Sequence, residues 1–419
     1  MSLAQETTLT RLAGDRRAFR RLPELKGAPA TFRTALRIIA RNWMLGSVTF
    51  VMPSGRELRI AGAEQPGLSG KLIVRDFRFM RRVLATGDIG FAEGFMAGEW
   101  DTPDLPALLL VFAANWARLR RVTQGNPLAW TFNRVRHALR GNTREGARKN
   151  IHAHYDLGNA FYERWLDPTM TYSSARYERP GQPLSEAQTA KYRALAQGMG
   201  LQAGQSVLEI GCGWGGFAEF AAREVGAKVT AITISEEQFK FARQRMLAQG
   251  LNERADIRFV DYRDVEGRFD RVASIEMFEA VGERYWPAYF GKIHDALEPG
   301  GRAGLQIITI RDEDFEAYRN RADFIQKYIF PGGMLPSEAR LKAVTDKVGL
   351  AWTAVARFGQ DYADTLAEWH RNFDAAWADI APLGFDERFR KLWKFYLGYC
   401  EAGFRTERTN VVQLSLAKA

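Results

Sequence analysis

Val207-Leu208-Glu209-Ile210-Gly211-Cys212-Gly213-Trp214-Gly215-Gly216 reads as a buried β-strand running into a glycine-rich turn that opens a helix. Glycines 211, 213 and 216 have the G-x-G-x-x-G spacing of nucleotide-binding α/β folds. That spacing alone is a weak signal, since a tight strand-to-helix turn can need glycine only for close packing. Glu209, two residues before the first glycine, sharpens it. A carboxylate there would repel the pyrophosphate of a dinucleotide. It would favour S-adenosylmethionine, which has no phosphate and carries an ammonium and a sulfonium. The second strand, Lys228 to Thr233, ends without the acidic residue that grips an NAD ribose. The cofactor expected is therefore a methyl donor.

A chain of 419 residues is too long for one ordinary core, so two domains are expected. Hydrophobic residues make up 46% and aromatics 12%, ample for globular burial. The longest apolar run, around 105–114, is too short to span a bilayer, and the first residues lack the pattern of a signal peptide. Two cysteines, Cys212 and Cys400, allow at most one bridge. A reduced, cytoplasmic protein without a metal site is the expectation.

Charge is unevenly spread. Residues 1–150 hold 25 Lys and Arg against 12 Asp and Glu, whereas the rest hold 34 against 37. A basic front half suggests an anionic surface or polymer as partner. Leu9, Leu12, Ala13, Phe19 and Leu22 fall near one helical face, with Arg11, Arg16, Arg17, Arg20 and Arg21 on the others. That pattern suits an anionic membrane surface, although a solvated arm or a helix packed on the protein would look alike, and Gly14 and Asp15 interrupt it.

Past Pro29, a helix is expected over 32–43, strands over 48–52, 58–60 and 71–74, and a helix through Leu84 capped by Asp76. This front part, 1–140, reads as a small α+β domain that docks on lipid. Residues 141–150 are polar and read as a linker, so 141–419 is the expected catalytic domain. From about 185 the chain alternates strand and helix, with strands at 205–210, 228–234, 256–260, 270–275 and 303–309, and closing strands near 350–357 and 410–416. The fold class expected is α/β, a Rossmann-like class I methyltransferase sheet with helical lid insertions. Those insertions, 311–337 and 361–404, are rich in aromatics. Aromatics at helical spacing are most often core. Two inserts over the carboxyl ends of the strands would nonetheless cover a substrate, and an apolar lid implies an apolar one.

Seven stretches carry a resemblance: His154 to Asn159 (HYDLGN), Met170 to Ser173 (MTYS), Leu208 to Gly216 (LEIGCGWGG), Thr233 to Gln238 (TISEEQ), Asp261 to Asp264 (DYRD), Lys327 to Pro331 (KYIFP) and Phe358 to Tyr362 (FGQDY). Together, and in this order, they resemble the cyclopropane-fatty-acyl-phospholipid synthase family over nearly the whole chain. The resemblance implies methyl transfer from S-adenosylmethionine to a cis double bond in an unsaturated phospholipid acyl chain of an anionic membrane. The implied location is peripheral, on the inner face of the membrane, with a homodimer left open. It also implies cofactor contacts. Tyr172 and Ser173 would meet the methionine end together with Glu209 and the turn glycines Gly211, Gly213 and Gly215; Thr233 and Gln238 the ribose and adenosine; Asp261 and Tyr262 the adenine.

An alkene is a weak nucleophile, so it must be aligned with the methyl in a dry pocket. Attack leaves a carbocation that aromatic faces and a carboxylate can stabilise, and a base must finish the reaction. In typical members of the resembled family that base is a bicarbonate held by a cysteine, a glutamate, a histidine, a tyrosine and a backbone amide. Here the glutamate is Glu279, the tyrosine Tyr362 and the amide that of Ile308, but the cysteine position is Ser174 and the histidine position Gln306. The usual Phe-Glu-His is Phe278-Glu279-Ala280. Without an imidazole to hold bicarbonate in its basic form, bicarbonate becomes uncertain. A methyl-branched alkene is then favoured over a ring. A nucleic-acid methyltransferase is the competing enzyme reading, but no Asn/Asp-Pro-Pro-aromatic motif follows the fourth strand, so no nucleic-acid partner is expected. A lipid carrier that merely keeps the fold would need neither the glycine turn nor Glu279.

Overall fold

The computed structural model describes residues 22–123 and 157–418. The basic segment over 9–21, the linker at 141–150 and the first three residues of His154 to Asn159 lie outside the described residues. The chain divides into two compact units, and both are discontinuous. The first gathers 1–136, 321–327 and 384–406; the second gathers 137–320, 328–383 and 407–419.

In the first unit, β1 (Leu45–Val51) and β2 (Glu57–Ala61) form an antiparallel hairpin, Phe50 opposite Leu58. Gly55, at φ +79°, supplies the left-handed position in its turn. β3 (Glu64–Val74) runs parallel to β1 on the other side, and the two-residue β4 (Trp100–Asp101) closes the sheet. The helix Ala30–Asn42 buries Phe32, Ala35, Leu36 and Ile39, the spacing that the sequence suggests for one face. Asp76 does meet the next helix, Arg78–Thr86, through an Arg78 amide donating to its Oδ1 at 2.8 Å. The Asn115 amide makes four bonds, to Met44 N, Leu45 N, Leu45 O and Val111 O, and so seats β1 on the helix Leu105–Ala114.

The helix Glu387–Arg405 also belongs to this unit. Phe395 meets Phe91 and Phe95 at 6.2 Å and Phe324 at 4.8 Å. The sequence suggests that 361–404 forms one lid over the strand ends. Its first part, the helices Gly359–Ala375 and Trp377–Ile380, stays with the second unit, while the aromatics of the last helix build core in the first.

The second unit is built on seven strands: β5 (Ser206–Ile210), β6 (Lys228–Thr233), β7 (Ala255–Phe259), β8 (Phe269–Ile275), β9 (Leu297–Ile310), β10 (Leu350–Arg357) and β11 (Thr409–Lys418). Their order across the sheet is β10-β11-β9-β8-β5-β6-β7. β5 to β9 are parallel, and β11 inserts antiparallel between β9 and β10. This is the class I methyltransferase arrangement, and each of the seven strands read from the sequence is present. Residues 207–210 of β5, 272–274 of β8 and 303–307 of β9 are buried without alternation, as strands covered on both faces are. The chain leaves β5 on one side and returns to β8 on the other. The carboxyl ends of β5 and β8 therefore open a crevice where the order reverses.

Side-chain ties hold that crevice in register. The Ser274 hydroxyl donates to Ile210 O at 2.9 Å and stands 2.9 Å from the Tyr289 hydroxyl. Gly211 and Cys212 both donate to Ile232 O, which fixes the turn after β5 against the end of β6. Gly216, at the first turn of the helix Gly216–Phe220, has a packing role, since a Cβ there would overlap the Tyr192 hydroxyl, itself 2.7 Å from Thr171 Oγ1. Gly216→Ala should therefore lower unfolding stability by about 1–3 kcal/mol, the usual cost of overpacking. The same substitution in a Tyr192→Phe background should cost less. Equal costs by urea denaturation would show that the hydroxyl does not limit the space.

Candidate functional site

Five strand ends supply the site. After β5, Gly211, Gly213 and Gly215 all have positive φ, at +82°, +53° and +84°. A Cβ on Gly211 would come within 2.6 Å of Met277, whereas one on Gly213 would meet nothing within 4 Å. Gly213 thus borders open space, as a cradle for a ligand would. Glu209 is 2% exposed, and its Oε2 has no hydrogen-bond partner. Burial pushes its carboxyl up to about 8, against the opposing pull of Lys191. An unpartnered buried carboxylate oxygen beside open glycine backbone suits a cationic ligand and repels a phosphate. The residues therefore fit S-adenosylmethionine.

Thr233 ends β6 and donates to Gln238 Oε1 at 2.9 Å, while Gln238 is set by the Ser235 cap of the helix Glu236–Ala248. Asp261, 5% exposed after β7, accepts from Arg263 N and Nε at 3.0 and 2.9 Å. The Tyr262 ring lies edge-on to Tyr289 at 5.3 Å and beneath the Arg263 guanidinium.

The segment before the helix Leu184–Gly198 brings Tyr172, Ser173 and Ser174 to the same region. Tyr172 packs against Trp369 at 5.2 Å, Tyr162 at 5.4 Å and Trp165 at 5.7 Å, and Trp369 in turn meets Tyr362 at 6.1 Å. The helix Gly359–Ala375 is held there by the Tyr177 amide donating to Asp361 and the Ala175 amide to Thr365. The first part of the second insert thus places aromatic faces beside the strand ends.

The residues expected to hold an anion do gather, but around a carboxylate of the chain itself. Glu276, just past β8, accepts from Ser174 N at 2.8 Å and Gln306 Nε2 at 2.7 Å on Oε1, and from the Tyr362 hydroxyl at 2.7 Å on Oε2. The Ser174 hydroxyl turns away to donate to Ala175 O. Gln306, fully buried, is itself held by Gln413 Nε2 at 3.1 Å. Ile308 N donates to Glu279 Oε1 at 2.5 Å, and Glu279 Oε2 is buried without a partner. Gln306, the Tyr362 hydroxyl and the Ser174 and Ile308 amides are engaged by Glu276 or Glu279, and the Ser174 hydroxyl by Ala175 O, so the residues as they stand do not fit a bound bicarbonate.

Glu276 and Lys191 are the two residues that the sequence reading missed. Lys191 is fully buried, and its ammonium donates to Ser173 Oγ at 2.7 Å. Burial pulls it down to about 7, while Glu276, Asp167 and Glu209 pull upward. A signal was there: Leu184, Ala187, Lys191 and Leu195 share the apolar face of their helix, so a lysine falls where only a partnered one belongs. Glu276 had a weaker signal, a charge ending an apolar strand. Its backbone lies at φ +49°, a left-handed conformation that costs a non-glycine residue roughly 1–2 kcal/mol. Strain of that kind concentrates at functional positions. Burial raises Glu276, opposed by Lys191 and the three donors, and burial together with the Glu276 charge raises Glu279 to about 8.

These shifts set a pH dependence. Glu209 and Glu279 keep their protons to about 8 in the fold but release them near the ordinary 4.5 when unfolded. Between those limits the unfolded chain binds fewer protons, so stability falls as pH rises. Lys191 acts oppositely, but only above about 7. The urea midpoint of the ligand-free protein should therefore be lower at about pH 7 than at about pH 5.5, and Glu209→Gln should shrink the difference. A midpoint that rises over this range, equally in both proteins, would contradict these shifts.

The family profile described as mycolic acid cyclopropane synthetase matches residues 142–414. Tuberculostearic acid methyltransferase UfaA1 of Mycobacterium tuberculosis is 40% identical over 367 residues, covering 85% of each chain. Cyclopropane-fatty-acyl-phospholipid synthase of Escherichia coli K12 is 35% identical, covering 82% of this chain and 87% of its own. A crystal structure of mycolic acid cyclopropane synthase CmaA1 complexed with SAH and CTAB aligns with TM-score 0.61 and 30% identity, over 65% of this chain and 98% of that one.

Proposed function

Because this chain belongs to the mycolic acid cyclopropane synthetase family of S-adenosylmethionine-dependent lipid methyltransferases, we propose that it methylates the cis double bond of an unsaturated phospholipid acyl chain and yields a methyl-branched, unsaturated chain. The observation that carries this reading is a pair of buried, unpartnered carboxylate oxygens, Glu209 Oε2 and Glu279 Oε2, in a site walled by aromatic rings. One oxygen suits a cationic cofactor, and the other suits a cation that develops on the acyl chain.

When bound, S-adenosylmethionine supplies an electrophilic methyl group on sulfur. Glu209 and the open backbone at Gly213 bind and orient its cationic end, with Tyr172 and Ser173 beside them. Thr233 and Gln238 hold the ribose and adenosine, and Asp261 and Tyr262 frame the adenine. Tyr172, Trp369 and Tyr362 exclude water and present aromatic faces to the positive charge left when the double bond takes up the methyl. Glu279 stabilises the same charge. A ring requires that a proton leave the added methyl, whereas loss from the chain gives the branched alkene. Gln306 offers no imidazole to direct the proton loss, and 40% identity to an enzyme named for methyl transfer supports the branched product.

Among the described residues no helix is long and apolar enough to cross a membrane. Residues 1–25, rich in arginine, are proposed to dock the protein on anionic lipid. One assay tests both proposals: vesicles of unsaturated phospholipid, anionic or neutral, supplied with a donor whose methyl carries three deuterium atoms. A branched alkene keeps three deuterium atoms and is cleaved by ozone, and Glu279→Gln should slow its formation at least tenfold. Anionic vesicles should be preferred, with the preference fading as salt rises. A product that keeps two deuterium atoms and resists ozone would instead identify a cyclopropane synthase, and equal use of neutral vesicles would remove electrostatic docking.

A further inference from the structure

The carboxylate of Glu276 has no role in the reaction as described so far, yet it sits where the donors converge. Ser174 N and Gln306 Nε2 both point at Oε1, and the Tyr362 hydroxyl points at Oε2. These groups come from three separate places: the loop before the helix Leu184–Gly198, the strand β9 and the helix Gly359–Ala375. The seat is built in depth as well, because Gln413 on β11 bonds both Gln306 Oε1 and Lys191 O. Three donors from three elements, supported from a fourth, make a site for one small carboxylate-like anion. The chain fills it with its own side chain, from a backbone position at φ +49° that glycine would adopt more easily.

Resting on the proposed methyl transfer, we propose that Glu276 is a built-in replacement for a free anion in this seat, and that its carboxylate is the base that ends the reaction. A carboxylate offers about four lone-pair positions. On Oε1 two are taken, by Ser174 N and Gln306 Nε2; on Oε2 one is taken, by Tyr362, which leaves one open. The step balances. The π electrons of the double bond form the new carbon–carbon bond as the sulfur–methyl bond breaks, and its electron pair stays on sulfur. The neighbouring carbon becomes cationic. A C–H bond next to it then gives its electrons to the cation, and its proton passes to Glu276 Oε2. Tyr362, Gln306 and Ser174 N are positioning groups that hold the carboxylate in place. Glu279, 2.5 Å from Ile308 N by Oε1 and unpartnered at Oε2, keeps the cation-stabilising part proposed above. No outside anion is needed, since Ser174 N, Gln306 Nε2 and the Tyr362 hydroxyl are all engaged by Glu276.

The test compares wild type, Glu276→Gly and Glu276→Gln in buffer freed of carbon dioxide, with and without added bicarbonate, formate or acetate. Wild-type turnover should be the same within about twofold with or without bicarbonate, and carbon-13 bicarbonate should show no binding by NMR line broadening. Glu276→Gly suits its backbone conformation and leaves three donors around an empty seat. It should lose at least a hundredfold in turnover in anion-free buffer, bind labelled bicarbonate, and regain at least tenfold on adding bicarbonate or formate. Glu276→Gln fills the seat without a charge, so it should be slow and beyond rescue. S-Adenosylmethionine affinity, read by calorimetry, should stay within a few fold in both variants and certifies that they are folded. Bicarbonate binding to wild type, a wild-type requirement for it, or undiminished turnover of Glu276→Gly in anion-free buffer would overturn the proposal. If wild type transfers no methyl to any unsaturated phospholipid, the functional reading fails separately, and the binding contrast between wild type and Glu276→Gly still decides what occupies the seat.

Discussion

Three carboxyl groups held away from water, with one ammonium beside them, are the constraint around which the catalytic unit is arranged. Glu209, Glu276 and Glu279 converge at the carboxyl ends of β5 and β8, and Lys191 is the buried ammonium that pulls on the first two. Such groups are expensive to desolvate unless they are paired or neutralised. The protein manages each one differently. Glu276 is saturated by donors from three elements, whereas Glu209 and Glu279 each keep one oxygen without a partner and hold a proton to about 8. Each of these two can answer an arriving cation by giving up its proton, and the proposed methyl transfer from a sulfonium to an alkene brings two.

The sheet follows from the same requirement. A parallel sheet whose order reverses between β5 and β8 places two strand ends side by side with the crevice between them. Ties such as Ser274 to Ile210 O keep those ends in fixed register, so carboxylates only three residues apart, Glu276 and Glu279, take up distinct partners. β11 contributes from the edge: inserted antiparallel beside β9, it delivers Gln413 to the back of Gln306. Precise placement of this kind is what the proposed reaction through a cation requires, since the charge must be stabilised without being trapped.

Much of this was legible in the sequence. Alternation of short apolar runs with glycine turns and helical stretches located all seven strands of the sheet, even the edge strands β7 and β10, which are half exposed. Ser174, Gln306 and Tyr362 were named as neighbours, and the structure does bring them together. What they surround was not legible. Glu276 stands in a row of residues that reads only as a strand leaving the core, and nothing local reveals that its side chain turns back at positive φ toward Tyr362, 86 residues further along. Lys191 was readable in principle from its place on an apolar helix face, but a lysine can snorkel from such a face, and only the packed structure shows it sealed. The aromatics of 384–406 misled for the opposite reason: helical spacing reports that a face is buried, not which unit buries it.

The claim that Glu209 is a protonated carboxyl that ionises to receive a cationic ligand is most directly tested by calorimetry of S-adenosylmethionine binding across pH 6 to 8, in buffers of different ionisation enthalpy. If Glu209 holds its proton to about 8 and gives it up to the cationic ligand, binding near pH 7 releases a proton. Affinity should then rise by up to about tenfold per pH unit below 8, and Glu209→Gln should abolish both effects. An affinity that does not change with pH, with no proton released by the wild-type protein, would contradict it.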